Sequence, residues 1–217
     1  MPPLRCFIGL PLPRHCQQTL ERLTGELSSR LASRITWVRP ENAHLTLKFL
    51  GAVPEEDIPQ LAAALRGVCF APFTLRLGGA GCFPAWKNRQ SRSSSGDKDR
   101  GADKGRGGAP QVLWAGMAQG AEHCADLARA VDGVCARLGF AAQAGVFTPH
   151  LTLGRVRVPA QGEDWRAALA LAGGVDWGEV RVERFVLWRS VLGPGGPKYA
   201  ALEVFPALAG ASALAGG

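Results

Sequence analysis

The tetrapeptide His-Leu-Thr-Leu occurs twice, as His44-Leu45-Thr46-Leu47 and as His150-Leu151-Thr152-Leu153. The chain has only four His. A four-residue string recurs by chance at a given position with odds on the order of 10⁻⁵. Any fold of this chain therefore has to place two copies of one structural unit. Both copies sit in apolar, strand-like runs. On a strand, residues i and i+2 share a face, so each His projects with its Thr while the two Leu enter the core. An imidazole exchanges protons near neutral pH, and a hydroxyl steadies a developing oxyanion. Two such pairs facing each other divide the labour. One His accepts a proton from an attacking group, the other gives one to a leaving group, and the Thr hydroxyls hold the atom between them. Phosphoryl transfer suits that arrangement, because positioning and electrostatics carry most of its catalysis.

Periodicity places the two copies in an α+β framework. Residues 4–10 read as a buried strand. Pro13 opens a helix whose apolar stripe is Cys16, Leu20, Leu23, Leu27 and Leu31. Ile35–Val38 read as a strand and Pro40-Glu41-Asn42 as a turn, and the first motif strand ends at Gly51. A second helix starts at Pro54 and carries Ile58, Leu61, Leu65 and Val68. Phe73–Leu77 alternates as a half-buried strand partnered by Val112–Gly116. Cys124, Leu127, Val131, Val134 and Leu138 make a third helix, and Trp165–Leu171 a short fourth. Val180–Leu192 and Tyr199–Phe205 each read as one strand. Residues 87–109 form a basic, Ser/Gly-rich insertion expected to be disordered, and 207–217 a flexible tail, so the domain spans 1–206.

Composition narrows the class. No run reaches the roughly 18 apolar residues of a membrane span. The six Cys show no C-x-x-C spacing and read as reduced core thiols of a cytoplasmic protein. No Cys/His cluster has zinc-ligand spacing. The net charge of +7 favours a polyanionic partner. The insertion supplies much of that charge, with seven Lys/Arg against three Asp in residues 87–108. It reads as a tolerated surface segment rather than as an RNA-binding arm. His15 and His123 lie in helix patterns without a Thr partner and read as surface residues.

The paired motifs and their flanks resemble the two-histidine phosphoesterases, and within them the RNA 2′,3′-cyclic phosphodiesterases, also called 2′-5′ RNA ligases. The matching residues are Arg5-Cys6-Phe7-Ile8-Gly9-Leu10, Pro40-Glu41-Asn42, Phe49-Leu50-Gly51, Thr148-Pro149, Arg155, and Leu192 to Tyr199. The resemblance implies two pseudo-symmetric lobes of antiparallel sheet with flanking helices and an active-site cleft between them. It implies hydrolysis of RNA or nucleotide 2′,3′-cyclic phosphates to 2′-phosphomonoesters, with no cofactor and no metal, by a cytoplasmic monomer. His44 would be the proton donor and His150 the proton acceptor, with Thr46 and Thr152 on the non-bridging oxygens. Arg155 is a substrate-binding candidate, since a guanidinium grips two phosphate oxygens. It lies at an odd offset from His150, so it faces the cleft only if the strand bends near Gly154. Phe7 and Tyr199 are candidates to stack on a base and are read in preference as core aromatics. A nucleotide-binding module without turnover, and 2′-5′ ligation in the reverse sense, stand as alternatives.

Overall fold

A computed structural model describes residues 2–84, 109–143, 145–193 and 196–208. The expected insertion lies outside these residues except for Ala109. Of the expected tail, only Ala207 and Leu208 fall within them, and their amides donate to the Glu183 and Phe70 carbonyls.

The chain runs β1 (Leu4–Pro11), α1 (Arg14–Arg30), β2 (Arg34–Trp37), β3 (His44–Val53), α2 (Ile58–Leu65), β4 (Phe73–Phe83) and β5 (Val112–Gln119). It continues through α3 (Ala121–Arg137), β6 (Leu151–Val158), α4 (Trp165–Gly173), β7 (Glu179–Val182), β8 (Arg184–Gly193) and β9 (Gly196–Pro206). The strands pair in the order β7-β4-β5-β6-β3-β1-β8-β9, and β2 also pairs with β6. All recorded pairings are antiparallel. The two motif strands, β3 and β6, are the central neighbours. Outward from them, β1 answers β5, β8 answers β4, and β9 answers β7, so a pseudo-two-fold axis passes between the motifs. The resulting sheet is a curled half-barrel, and the helices share a single hydrophobic core with it.

Amphipathic spacing forms the helices as read. The stripe Cys16, Leu20, Leu23 and Leu27 of α1 is buried, as are Cys124, Leu127, Val131 and Val134 of α3. The packing is crosswise: α1 lies against β6, and α3 lies against β3. Each half's helix thus covers the other half's motif strand. The core consists of these stripes against Ile8, Leu10, Leu45, Leu47, Leu151 and Leu153, all at most 1% exposed. Each such side chain contributes about 1.5–3 kcal/mol relative to leaving it in water.

One expectation needs correction. Val180–Leu192, read as one strand, forms two. β7 pairs with β4 on one side of the curl and β8 with β1 on the other, with Glu183 between them. No Gly or Pro marks the junction; its one local trace is the shift of phase at Glu183-Arg184, two exposed residues in succession, and strands turn corners between sheets in this way. β4 also extends past Leu77 to Phe83, through an irregularity in its pairing with β5 at Gly78 and Gly79, where Gly79 has φ +68°.

A buried ion pair ties the halves together. Lys48 of β3 is only 2% exposed and pairs with Asp132 of α3. Its ammonium also donates to the Ala141 carbonyl at 2.7 Å, while Asp132 accepts from the Gln143 amide at 3.2 Å. The segment leading to the second motif is thereby pinned to the strand carrying the first. Asp132→Ala leaves the Lys48 charge buried without a counterion and should cost about 3–5 kcal/mol. Lys48→Met removes that charge and should cost less. Urea unfolding of the two variants checks the order.

Candidate active site

Both motifs contain the same irregularity at the same residue. On β3, Gly9 of β1 pairs with Thr46 and Ile8 with Lys48, so Leu47 is an extra residue. On β6, Trp114 of β5 pairs with Thr152 and Leu113 with Gly154, so Leu153 is extra. The last Leu of each tetrapeptide is therefore a bulge, which inserts one residue and re-aims the chain beyond it. Burial runs identically through the two copies from the His onward: half-buried, buried, half-buried, buried, buried, exposed, half-buried. Two buried residues in succession, Leu47-Lys48 and Leu153-Gly154, shift the alternation by one. The fifth residue after each His consequently returns to the His/Thr face. In the first copy it is Phe49, and in the second it is Arg155. The odd offset that counted against Arg155 is cancelled by the bulge.

Close backbone approach makes the bulges fit. A Cβ on Gly9 would overlap the Leu45 carbonyl oxygen. At Gly154 a Cβ would stand 2.7 Å from the Trp37 ring and 2.9 Å from the Ile35 side chain.

β3 and β6 meet through the pair Leu45↔Leu151. Antiparallel register about that pair sets His44 beside Thr152 and Thr46 beside His150. The four polar groups then form a square with the imidazoles on a diagonal. Directly opposite side chains lie about 4.5–5.5 Å apart and diagonal ones about 7–8 Å, which leaves room for one phosphoryl group between the rings.

Each ring is held in the same way. His44 Nδ1 donates to the Asn42 carbonyl at 2.7 Å, and His150 Nδ1 donates to the Thr148 carbonyl at 2.8 Å. In both cases the acceptor is the residue two before the His. A proton fixed on Nδ1 leaves Nε2 as the exchanging nitrogen. Nε2 of His44 lies 3.0 Å from Thr46 Oγ1. Asn42 is itself anchored, since its side-chain amide donates to the Pro197 carbonyl at 2.8 Å. Burial, above all, pushes the His44 imidazole below its ordinary pKa; the Asn42 hydrogen bond opposes this and the nearby charge of His150 adds to it.

Aromatic rings wall both imidazoles. The His44 ring lies 4.7 Å from Phe7, 5.2 Å from Tyr199 and 5.8 Å from Trp188, centroid to centroid. His150 lies 5.3 Å from Phe83 and 6.1 Å from Trp114. Phe7, read as a core aromatic, is buried at 4% exposure and Tyr199 is half-buried, and both rings pack against His44. Arg155 belongs to the same surroundings. Burial raises the pKa of the Tyr199 phenol, and the Arg155 guanidinium pulls it back.

Other chemistries find little support. Burial pushes the thiols of Cys6, Cys16 and Cys135 up to about 11 and that of Cys124 to about 12, which keeps them protonated and unreactive. Among the described residues, no three His, Cys, Asp or Glu side chains are grouped as a metal site would require. His15 and His123 are exposed on helices, as expected. Asn42, Trp188, Phe83 and Trp114 were not singled out from the sequence as site residues. Only Asn42 left a signal, since it precedes its His by the same two positions as Thr148.

A half-barrel that sets two His-x-Thr pairs on one face defines a two-histidine phosphoesterase. The chain belongs to the LigT-like phosphoesterase family, which matches residues 10–91 and 116–199. It is 30% identical over 204 residues to the RNA 2′,3′-cyclic phosphodiesterase of Methanothermobacter thermautotrophicus, covering 93% of this chain and 98% of that one. With the enzyme of the same name from Archaeoglobus fulgidus it shares 30% over 202 residues, covering 93% and 99%. Among solved structures, a Thermus thermophilus protein superposes with TM-score 0.69 at 28% identity, over 93% of this chain and 97% of that one. E. coli LigT complexed with 3′-AMP superposes with TM-score 0.69 at 24% identity, over 94% and 98%, a likeness of fold.

The electrostatics make a measurable statement about His44. Its imidazole should titrate below the ordinary value of 6.5. His150→Gln should raise that pKa only in part, because burial is the larger cause. The neutral form is the one favoured in the fold, so stability should fall as pH drops from 6.5 towards the folded pKa, where the unfolded chain binds more protons. Nitrogen-15 NMR titration of the imidazoles reads both effects.

Proposed function

We propose that this protein hydrolyses the 2′,3′-cyclic phosphate of RNA ends or nucleotides to a 2′-phosphomonoester, without a metal. The observation that carries the reading is the matched tethering of two imidazoles on one face, each offering Nε2. The curated relatives named as RNA 2′,3′-cyclic phosphodiesterases supply the substrate class.

His150 Nε2 takes a proton from water as the water oxygen bonds to phosphorus. The P–O3′ bond breaks in line, and His44 Nε2–H delivers its proton to the departing O3′. Thr46 and Thr152 donate to the non-bridging oxygens, and Arg155 grips the developing charge. This polarity of the two histidines follows the family resemblance. The lowered pKa of His44 fits a donor that is charged by its substrate: in the empty site the ring is neutral, and an arriving phosphate anion favours its protonation. A buried imidazolium is then a strong acid beside the leaving oxygen. All these side chains come from one chain, which supports a monomer. Free cysteines, five of them buried, suit the reducing cytoplasm.

The test is incubation with adenosine 2′,3′-cyclic phosphate in EDTA. The expected product is the 2′-phosphate. His44→Ala and His150→Ala should each lower kcat/KM by a factor of about 10² or more. Activity surviving both changes, or nucleotide binding with no product, overturns the proposal.

A further inference from the structure

Strand β6 continues past the reactive square as a row of cations. Arg155 and Arg157 stand two residues apart, and both are exposed. Thr36 of β2 pairs with Arg155, and its hydroxyl accepts from Arg157 Nε at 3.1 Å, so all three side chains share the face of His150 and Thr152. Arg34, exposed and two residues before Thr36, lies on that face too. The bond to Thr36 takes Nε and leaves the two terminal nitrogens of the Arg157 guanidinium for a ligand. Among the described residues, none of these three arginines pairs with a carboxylate. Glu163, the first acid after β6, is turned instead to the Ser33 amide and hydroxyl, at 2.7 and 2.6 Å. Like charges gathered on one face without counterions repel each other and attract an anion.

The row has a direction. Register about Leu45↔Leu151 sets Thr152 beside His44, so Arg155 and Arg157 follow Thr152 beyond the His44 end of the square. Tyr199, whose ring lies 5.2 Å from that of His44, also feels the Arg155 charge. In the reaction proposed above O3′ departs towards His44, so its ribose lies at this end. The next phosphodiester, joined through the 5′ oxygen of that ribose, is one nucleotide step from the reacting phosphorus. Arg157 stands two residues beyond Arg155, about 6.6 Å along a strand, within the reach of such a step. On the other flank of β6 a recess of about 500 Å³ opens against Arg155 and Arg157, walled by Pro110, Gln111 and Pro159, which is room for a nucleotide. We infer that Arg157 binds the phosphodiester on the 5′ side of the reacting nucleotide, so that the site prefers the end of an RNA strand to a mononucleotide. This rests on the hydrolysis proposed above and adds which length of substrate the site selects. Phosphate contacts carry no base identity, so the preference is for chain length and not for sequence.

The experiment compares adenosine 2′,3′-cyclic phosphate, which has no 5′ phosphate, with the dinucleotide ApA bearing the same cyclic end. The wild-type KM should be lower for the dinucleotide by about tenfold or more. Arg157→Ala should raise KM for the dinucleotide by about tenfold and change the mononucleotide by less than about twofold. It should also lower the slope of log KM against log salt for the dinucleotide by about 0.7, the share of one phosphate contact on a single strand. Equal effects on both substrates, no effect on the dinucleotide, or an unchanged salt slope overturn the subsite and leave the hydrolytic reading intact. If the wild-type protein turns over neither substrate, the hydrolytic reading fails separately. Calorimetric binding of adenosine 2′-monophosphate and of ApA 2′-monophosphate then decides: a preference for the dinucleotide that Arg157→Ala abolishes supports the subsite, and any other pattern overturns it.

Discussion

Leu45 against Leu151 is the pair through which the two motif strands meet, and the site is assembled around it. Both side chains are 1% exposed and lie under the sheet. Their burial turns the adjacent His and Thr of each strand to the opposite face. A slip of one residue in this register would turn one motif strand over and send its imidazole into the apolar core, where a charged ring is expensive. The hydrophobic effect, acting on leucines that take no part in chemistry, thus selects which way the histidines point.

The halves reuse one local design and then diverge. The fourth residue after each His is Lys48 in one half and Gly154 in the other, both buried. Near Gly154, β2 brings Trp37 and Ile35 so close that no side chain fits. At Lys48 there is space, and the side chain spans it to reach Asp132 and the Ala141 carbonyl. β2 itself has no counterpart beside β3 among the described residues. The asymmetry of the reactive face begins in these packing differences.

Much of this was legible in the sequence, for physical reasons. Helical spacing marked α1 and α3, because amphipathic stripes are local patterns. The repeat marked the motifs, because identical strings need no structural context. What escaped was non-local. Nothing in a single copy shows that Leu47 or Leu153 bulges, since a bulge is a relation between strands. The position of Arg155 followed from that relation and could not be read from its offset. The wall around His44 joins Phe7 of β1 to Trp188 and Tyr199 of β8 and β9, at the other end of the chain. The division of 179–193 into β7 and β8 was missed because no Gly or Pro marks it, and the single phase shift at Glu183-Arg184 does not say where the next strand pairs.

That uninterrupted passage also bears on how the molecule moves. β7 and β8 grip opposite flanks of the curl, and one residue separates them. Hinged domains separate by changing dihedral angles in a slack connection, and here there is no slack to change. At this crossing the two flanks are strapped rather than hinged, so a guest that touches both is met by surfaces braced against each other through the chain itself.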